Sequence, residues 1–243
     1  MRPERRWYHG HCFGAQEIRE IGGGTVAVNS KSRHPKAAER RVLSSPWVVQ
    51  AGGEAVRTIR GLTHFLGQRY LCGPAATFAC APNDNLAIHV ALYEARPGSV
   101  LIGDGGGTAN FGLFGELMAT EAVARGLGGL VVEGTVRDLA DLDRLGLPVL
   151  CAGAAPAQCT KTTLVSVGQP VEVGGALVRP GDQIIADRDG AAVVRSELWG
   201  EVKAAALALA DRETDYLRRL SAGERLADIL ALNLKREADR PSR

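Results

Sequence analysis

Residues Gly115–Arg144 have the sequence GELMATEAVARGLGGLVVEGTVRDLADLDR, with charged residues at fixed positions around one predicted βα unit. The pattern predicts the start of a helix, then a buried strand, then a turn with Arg137 beside Asp138. Twenty residues separate Glu116 from Arg137, which accommodates a helix of about ten residues, a strand of about five and their turns. We expect both ends of the unit to open on the same side, through a neighbouring strand or subunit.

The two ends of this unit carry the residue types of a site for an anion and a divalent metal. Unpaired amides of a first helical turn suit a carboxylate, and Arg137 can form a forked pair with the same group. Asp138 offers a hard oxygen ligand of the kind that Mg²⁺ takes. Glu116 is then a candidate to hold a metal-bound water and move a proton. The structural alternative is a surface ion pair of Arg137 with Asp138, and a Glu116 favoured by the helix dipole.

The order of these residues resembles a family pattern. Glu116, twenty residues, Arg137-Asp138, two residues and Asp141 are similar to the acid-x20-Arg-Asp-x2-acid pattern of the class II pyruvate aldolases. That family more often has Asp at the position of Glu116. It acts on 4-hydroxy-4-methyl-2-oxoglutarate and 4-carboxy-4-hydroxy-2-oxoadipate, and its RraA-like superfamily includes the regulator of ribonuclease E activity A. Further similar segments are GPAATF (Gly73–Phe78), PNDNLAIHVAL (Pro82–Leu92), PGSVLIGDGGG (Pro97–Gly107), AQCTKTTLVSV (Ala157–Val167) and GGALVRPGDQIIADRDGAAVV (Gly174–Val194).

The resemblance implies an α/β fold, an RraA-like swivelling β/β/α domain with mixed sheets and C-terminal helices, assembled as a homotrimer or homohexamer. It implies a metal-dependent aldolase that releases pyruvate from such 2-oxo acids, with Mg²⁺ or Mn²⁺ on Asp138. The amides of Gly115, Glu116, Leu117 and Met118 and the Arg137 guanidinium would bind the substrate, and Glu116 and Arg137 would be catalytic. Oxaloacetate decarboxylation would follow from the same enolate chemistry. The alternative is a non-catalytic RraA-like regulator that binds an RNA-processing enzyme.

Composition limits the other classes of function. The chain has 243 residues, 45% of them hydrophobic and 23% charged, which suits one domain with a sizeable core. The net charge of +2 gives no argument for nucleic acid or a membrane as partner. Five scattered cysteines without a CxxC pair favour a reducing, cytoplasmic location and argue against a structural zinc. We expect neither a membrane span nor a signal peptide.

Positive charge is concentrated in the first 45 residues of the chain. Residues 1–45 hold nine lysines and arginines against four acids, which predicts a basic, flexible N-terminal extension. Its His9, His11 and Cys12 are too crowded for a usual zinc site. We expect the catalytic domain over residues 46–195 and C-terminal helices over 196–243 that pack on it or on a neighbouring subunit. Glu213 is a candidate for an acid lent to a neighbour's site.

The remaining pattern predicts alternating strands and helices. A helix is expected over residues 48–67, a second from Asn83-Asp84 to Glu94, a third from Ser196 to Gly223, and a fourth to Lys235. Gly174-Gly175 predicts a hairpin over Val171–Val178. The predicted strands are Tyr70–Phe78, Ser99–Gly103, Pro148–Ala152, Thr163–Val167, Gln183–Asp187 and Ala191–Val194.

Two other motifs suggest different chemistry. The glycine-rich DGGGTANFG (Asp104–Gly112) could hold a nucleotide cofactor with Glu133 on a ribose, but GxGxxG is not met. We expect this loop to let the backbone approach the substrate or a neighbouring subunit. Lys161 raises the alternative of a Schiff-base aldolase. His89 is interpreted as a packed core histidine.

Overall fold

The computed structural model describes residues 42–232, so Lys235 and the predicted extension as far as residue 41 lie outside it. The helices are α1 (Ser45–Gly52), α2 (Leu86–Glu94), α3 (Glu116–Ala124), α4 (Leu139–Leu145), α5 (Trp199–Ser221) and α6 (Leu226–Ile229). The strands are β1 (Val56–Ile59), β2 (His64–Leu66), β3 (Leu71–Cys80), β4 (Val100–Asp104), β5 (Phe111–Gly112), β6 (Gly129–Val136), β7 (Val149–Ala154), β8 (Ala157–Gln158), β9 (Leu164–Val167), β10 (Val171–Val173), β11 (Ala176–Val178), β12 (Gln183–Asp187) and β13 (Gly190–Val194).

Most strands join one mixed sheet, which confirms the α/β prediction. In the described part of the chain the sheet has nine strands in the order β1-β13-β12-β3-β4-β6-β7-β2, with β9 also paired to β3. The central strands β3, β4, β6 and β7 are parallel, and the flanking pairs are antiparallel. Parallel neighbours end at the same edge, so the segments that follow β4, β6 and β7 lie close together.

Both faces of the parallel part are covered, which explains the continuous apolar runs of its strands. On β6, Leu130 and Val132 pack in one cluster with α2, α3 and α4. Val131, between them, packs in another cluster with the hairpin β10–β11. A third cluster joins α1 and α5 to the antiparallel strands through Val48, Val202 and Ile185. The long C-terminal helix therefore packs on the domain of its own chain.

The predicted helix over residues 48–67 is wrong beyond its first turns. Helix α1 ends at Gly52, and residues 56–59 and 64–66 form β1 and β2. Two adjacent glycines disfavour continuation of the helix, and the β-branched residues after them pair with β13 instead. The strand positions predicted elsewhere are confirmed to within a few residues.

The C-terminal prediction needs smaller corrections. Ser196 begins a 3₁₀ turn and does not cap the long helix, which starts at Trp199. The helix after Gly223 is a single turn that ends at Ile229. No helix within residues 42–232 combines the length and apolar character that a membrane crossing requires.

Candidate functional site

The predicted βα unit closes on itself within one chain. Residues 111–115 run beside the end of β6, where the Leu113 amide donates to the Thr135 carbonyl (2.8 Å) and the Arg137 amide donates to the Phe114 carbonyl (2.9 Å). This pairing brings the start of α3 to Asp138, whose Oδ2 accepts from the Glu116 amide at 3.1 Å. The two ends that sequence analysis expected to meet do so, without a second subunit.

Asp138 occupies part of the binding surface that was predicted for the substrate. Its backbone is left-handed (φ 58°), and its Oδ2 lies 3.4 Å from Arg137 Nε. Because Asp138 uses the Glu116 amide, that amide is not free for a substrate carboxylate. The Leu117 and Met118 amides, also in the first turn of α3, meet no backbone acceptor within residues 42–232.

Gly115 is required by this geometry. A Cβ at this position would lie 2.4 Å from Asp138 Oδ2 and 3.0 Å from Arg137 Cγ. Its φ of −152° is open to any residue, so contact and not backbone conformation selects glycine. The absent side chain is what lets Arg137 and Asp138 pack against the helix start.

Glu116 does not point into the space beside Arg137. Its Oε1 accepts from Arg144 Nη2 at 2.8 Å, and the same Nη2 donates to Asp141 Oδ1 at 2.9 Å. These two acids raise the pKa of the Arg144 guanidinium. Arg144 was not predicted as a site residue. Its pairing with Asp141 has the i,i+3 spacing of helix pairs, but its contact with Glu116 spans 28 positions and depends on the fold.

A cavity of about 140 Å³ lies next to Arg137. It is lined by Asn85, His89, Gly112, Leu113, Gly115, Leu117, Met118, Arg137, Gln158, Cys159 and Lys161. Among these described residues two are cations and none is acidic, so the cavity favours an anion. Glu116 and Asp138 lie outside this lining.

Asn85 and His89 were not predicted as cavity residues, and the interpretation of His89 as a packed core histidine missed this position. Both come from α2 and its N-cap, one turn apart. Asn85 is buried and donates to the Leu113 carbonyl at 2.8 Å, while its Oδ1 has no partner within residues 42–232. Burial and the Lys161 charge lower the pKa of His89, whereas Glu121 raises it. A neutral imidazole and a free amide oxygen can therefore orient a polar ligand.

Cys159 and Lys161 carry the two possible nucleophiles of the cavity wall. Burial raises the pKa of the Cys159 thiol, with Lys161 and Arg137 acting in the opposite sense. The thiol is therefore protonated at neutral pH and is a poor nucleophile. Lys161 lines the cavity, so a Schiff base remains open as an alternative.

The glycine-rich loop packs against protein backbone. Gly106 has a φ of 68°, and a Cβ there would lie 2.7 Å from the Cys80 carbonyl oxygen. Glu133, the candidate ribose partner, accepts from the Gly174 amide at 2.6 Å instead. The expected approach to the substrate is limited to Gly112, at the end of the motif.

Glu213, the candidate acid for a neighbour's site, has a partner in its own chain. Its Oε2 accepts from Trp47 Nε1 at 2.7 Å, which ties α5 to α1.

The residues around Asp138 fit a metal held by one carboxylate. The side chain is about one-third exposed (36%), and among residues 42–232 its Oδ2 accepts the Glu116 amide and contacts Arg137. Mg²⁺ commonly uses one or two protein carboxylates and keeps several waters. No group of three or more His, Cys, Asp or Glu side chains in the described part of the chain could hold a metal.

Comparisons with known proteins identify relatives of this chain. A relative from Halalkalibacterium halodurans, named "putative 4-hydroxy-4-methyl-2-oxoglutarate aldolase", is 38% identical over 50% of this chain and 58% of its own length. The chain thus spans little more than half of that relative. A Shewanella oneidensis protein of the same name is 34% identical over 55% of this chain and 81% of its own.

Solved structures are similar as well. The RNA-processing inhibitor RraA from Thermus thermophilis is 30% identical with a TM-score of 0.57, over 60% of this chain and 89% of that one. An unusual member of the RNase ES inhibitor RraA family from Streptomyces coelicolor is 28% identical with a TM-score of 0.63, over 72% and 91%. A family model described as RraA-like, Aldolase/RraA, matches residues 48–193. The chain therefore belongs to the RraA-like family.

Proposed function

We propose that the protein is a divalent-metal-dependent pyruvate aldolase. The observation that carries this is the meeting of Arg137, Asp138 and the first turn of α3 beside a cavity lined by two cations and no acid among the described residues. The substrates proposed are 4-hydroxy-4-methyl-2-oxoglutarate, the compound in the relatives' names, and 4-carboxy-4-hydroxy-2-oxoadipate.

Binding uses two amides of α3 that are free within the described part of the chain, together with the Arg137 guanidinium and the Asp138 carboxylate. The Leu117 and Met118 amides donate to the substrate's C1 carboxylate, and Arg137 pairs with that carboxylate and the C2 oxygen. Asp138 holds the metal, Mg²⁺ or Mn²⁺, which supplies Lewis-acid polarisation of the 2-oxo group when bound.

The proposed reaction is a retro-aldol cleavage. Glu116 takes the proton of the C4 hydroxyl, directly or through a water, after its carboxylate swings from Arg144. As the C3–C4 bond breaks, C4 becomes the carbonyl carbon of the second oxo acid. The C3–C4 electron pair forms the C2–C3 double bond, and the carbonyl π pair of C2 moves to its oxygen, which gives the pyruvate enolate that the Arg137 charge stabilises. Proton return to C3 gives pyruvate. Oxaloacetate would lose CO₂ by the same route, which is the proposed side activity.

We also propose a homotrimer or homohexamer. Leu117 is 81% exposed and stands next to the cavity, and Tyr93 is 75% exposed on α2. Large exposed apolar side chains beside a site are typical of a surface that a further subunit covers.

The second candidate is a regulator of an RNA-processing enzyme, which the likeness to the two RraA structures favours. Pyruvate release from 4-carboxy-4-hydroxy-2-oxoadipate separates the candidates. The aldolase proposal predicts turnover that EDTA abolishes and Mg²⁺ or Mn²⁺ restores. Turnover that persists in EDTA, with borohydride trapping of pyruvate on Lys161, would favour the Schiff-base mechanism, and the absence of turnover would favour the regulator.

A further inference from the structure

The cavity wall that carries Lys161 is an exposed segment, so something must hold it in place. Residues 160–164 are all exposed, and the side chain of Lys161 is long and flexible. An unrestrained lysine on such a segment would lose considerable conformational entropy on binding an anion. The order of this wall therefore depends on its backbone anchors.

The anchor is the carboxylate of Asp84, which is only 2% exposed. Its Oδ2 accepts from Thr160 Oγ1 (2.7 Å), the Thr162 amide (2.7 Å), Thr162 Oγ1 (3.0 Å) and the Thr163 amide (3.2 Å). Its Oδ1 accepts from the Leu86 amide at 2.9 Å. A buried carboxylate needs such donors to remain charged, and here they come from both sides of Lys161.

The neighbours of Asp84 fix the register of the same segment. The Asn85 amide donates to the Thr160 carbonyl (3.0 Å), and the Thr160 amide donates to the Asn83 carbonyl (2.9 Å). Asn85 and His89 line the cavity from the helix that follows. One short segment thus sets the position of Lys161 relative to α2.

We propose that Asp84 is the positioning residue for Lys161, and that its buried carboxylate keeps the Lys161 ammonium in the cavity with Arg137. The position of the Lys161 ammonium group does not depend on the proposed reaction. The claim that this position favours substrate binding rests on the proposed function. Asp84 has no place in the lining itself, so it acts through Lys161.

The pKa of His89, measured by NMR without ligand, reports whether the Lys161 ammonium group lies near His89. The Lys161 charge lowers this pKa, so Lys161→Met should raise it. Asp84→Asn should raise it as well if the ammonium group leaves, whereas simple loss of a nearby negative charge would lower it. In the double variant the pKa should rise no further than in Lys161→Met. An unchanged or lowered His89 pKa in folded Asp84→Asn would overturn the proposal.

If Asp84→Asn does not fold, a double variant that changes no charge provides a second test of the same proposal. Thr160→Val with Thr162→Val removes two hydroxyl donors and keeps the carboxylate, and should raise the His89 pKa by a smaller amount. No rise in this variant would also count against the proposal.

Oxalate binding, measured by calorimetry with Mg²⁺, tests the benefit to the site. Lys161→Met and Asp84→Asn should each raise the oxalate Kd about tenfold, with no further rise in the double variant. The matched control is Asp182→Asn, another buried carboxylate, which accepts from the Arg179 and Ser196 amides and does not line the cavity. It should leave the Kd unchanged.

Additive losses in the double variant would show that Asp84 acts independently of Lys161, which overturns the proposal. If wild-type protein binds no oxalate but the His89 shifts occur as expected, the positioning role stands and the proposed aldolase function fails.

Discussion

The Gly115 backbone lies so close to the Arg137 and Asp138 side chains that no further atom fits between them. The Arg137 and Asp138 side chains pack within van der Waals contact of the position where a Gly115 Cβ would stand. The sequence indicated Arg137 and Asp138 through their spacing in a family pattern, and Gly115 through the predicted start of a helix. It could not find that Asp138 uses the Glu116 amide, since this depends on how two distant turns meet.

Arg137→Ala should raise the activation free energy by about 2–4 kcal/mol, which lowers kcat roughly 30- to 1,000-fold, because the substitution removes the charge that faces the enolate. Arg137→Lys keeps the charge but loses the fork, so KM should rise as well as kcat fall. Steady-state kinetics of pyruvate release would check both variants. A folded Arg137→Ala protein with near-normal kcat would place the catalytic charge elsewhere.

Gly115→Ala should leave the chain folded and reduce turnover at least tenfold, because the added Cβ displaces the Asp138 carboxylate. Gly200→Ala is the matched control. Gly200 lies on α5 with nothing within 4 Å of an added Cβ, so this change should keep activity and stabilise the helix by up to about 1 kcal/mol. Equal activity of the two variants would contradict the packing argument for Gly115.

Asp84 should give the protein a stability that depends on pH. Burial alone would raise the pKa of Asp84, but the amides of Thr162 and Leu86 and the hydroxyls of Thr160 and Thr162 hold it well below its usual value. The unfolded carboxyl has a pKa of about 3.9, so this stabilisation is complete above about pH 5 and declines as the pH falls through the lower, folded pKa. Urea unfolding at pH 3 and pH 7 should show a smaller difference between wild type and Asp84→Asn at pH 3. An equal difference in the free energy of unfolding at the two pH values would contradict the stabilising role of the charged Asp84 carboxylate.

At the scale of elements, strand positions could be predicted and long-range contacts could not. The buried strands β4 and β6 were located because they are continuous apolar runs bounded by glycine and proline. The apolar and polar residues before Leu71 were predicted as a helix, but they form two short strands because β1 pairs with β13 and β2 pairs with β7. The cavity role of Asn85 and His89 had no local signal, because it arises where α2 meets the 157–163 segment.

The contact between α1 and α5 gives a test at this scale. Glu213→Gln weakens the hydrogen bond from Trp47 and should cost about 1 kcal/mol in the free energy of unfolding, measured in urea, with kcat unchanged. Asp211→Asn, at an exposed position of the same helix, is a control for the loss of a negative charge there. A large fall in kcat with unchanged stability would instead support Glu213 as an acid lent to a neighbour's site.

At the scale of the whole molecule, the proposed function requires that one fold brings an anion-binding cavity to a carboxylate suited to a metal. The RraA-like family includes names for both an aldolase and an inhibitor of RNA processing, so family membership alone does not decide between them. What distinguishes the aldolase proposal is enolate formation beside Arg137. That step can be measured without knowing the second product.

The most direct measurement is exchange of the pyruvate methyl protons with deuterium, followed by ¹H NMR in D₂O. Wild-type protein with Mg²⁺ should accelerate the exchange, EDTA should abolish the acceleration, and Arg137→Ala should reduce it at least thirtyfold. Exchange no faster than in buffer with folded, metal-supplied wild-type protein would contradict the central claim that this site stabilises a pyruvate enolate.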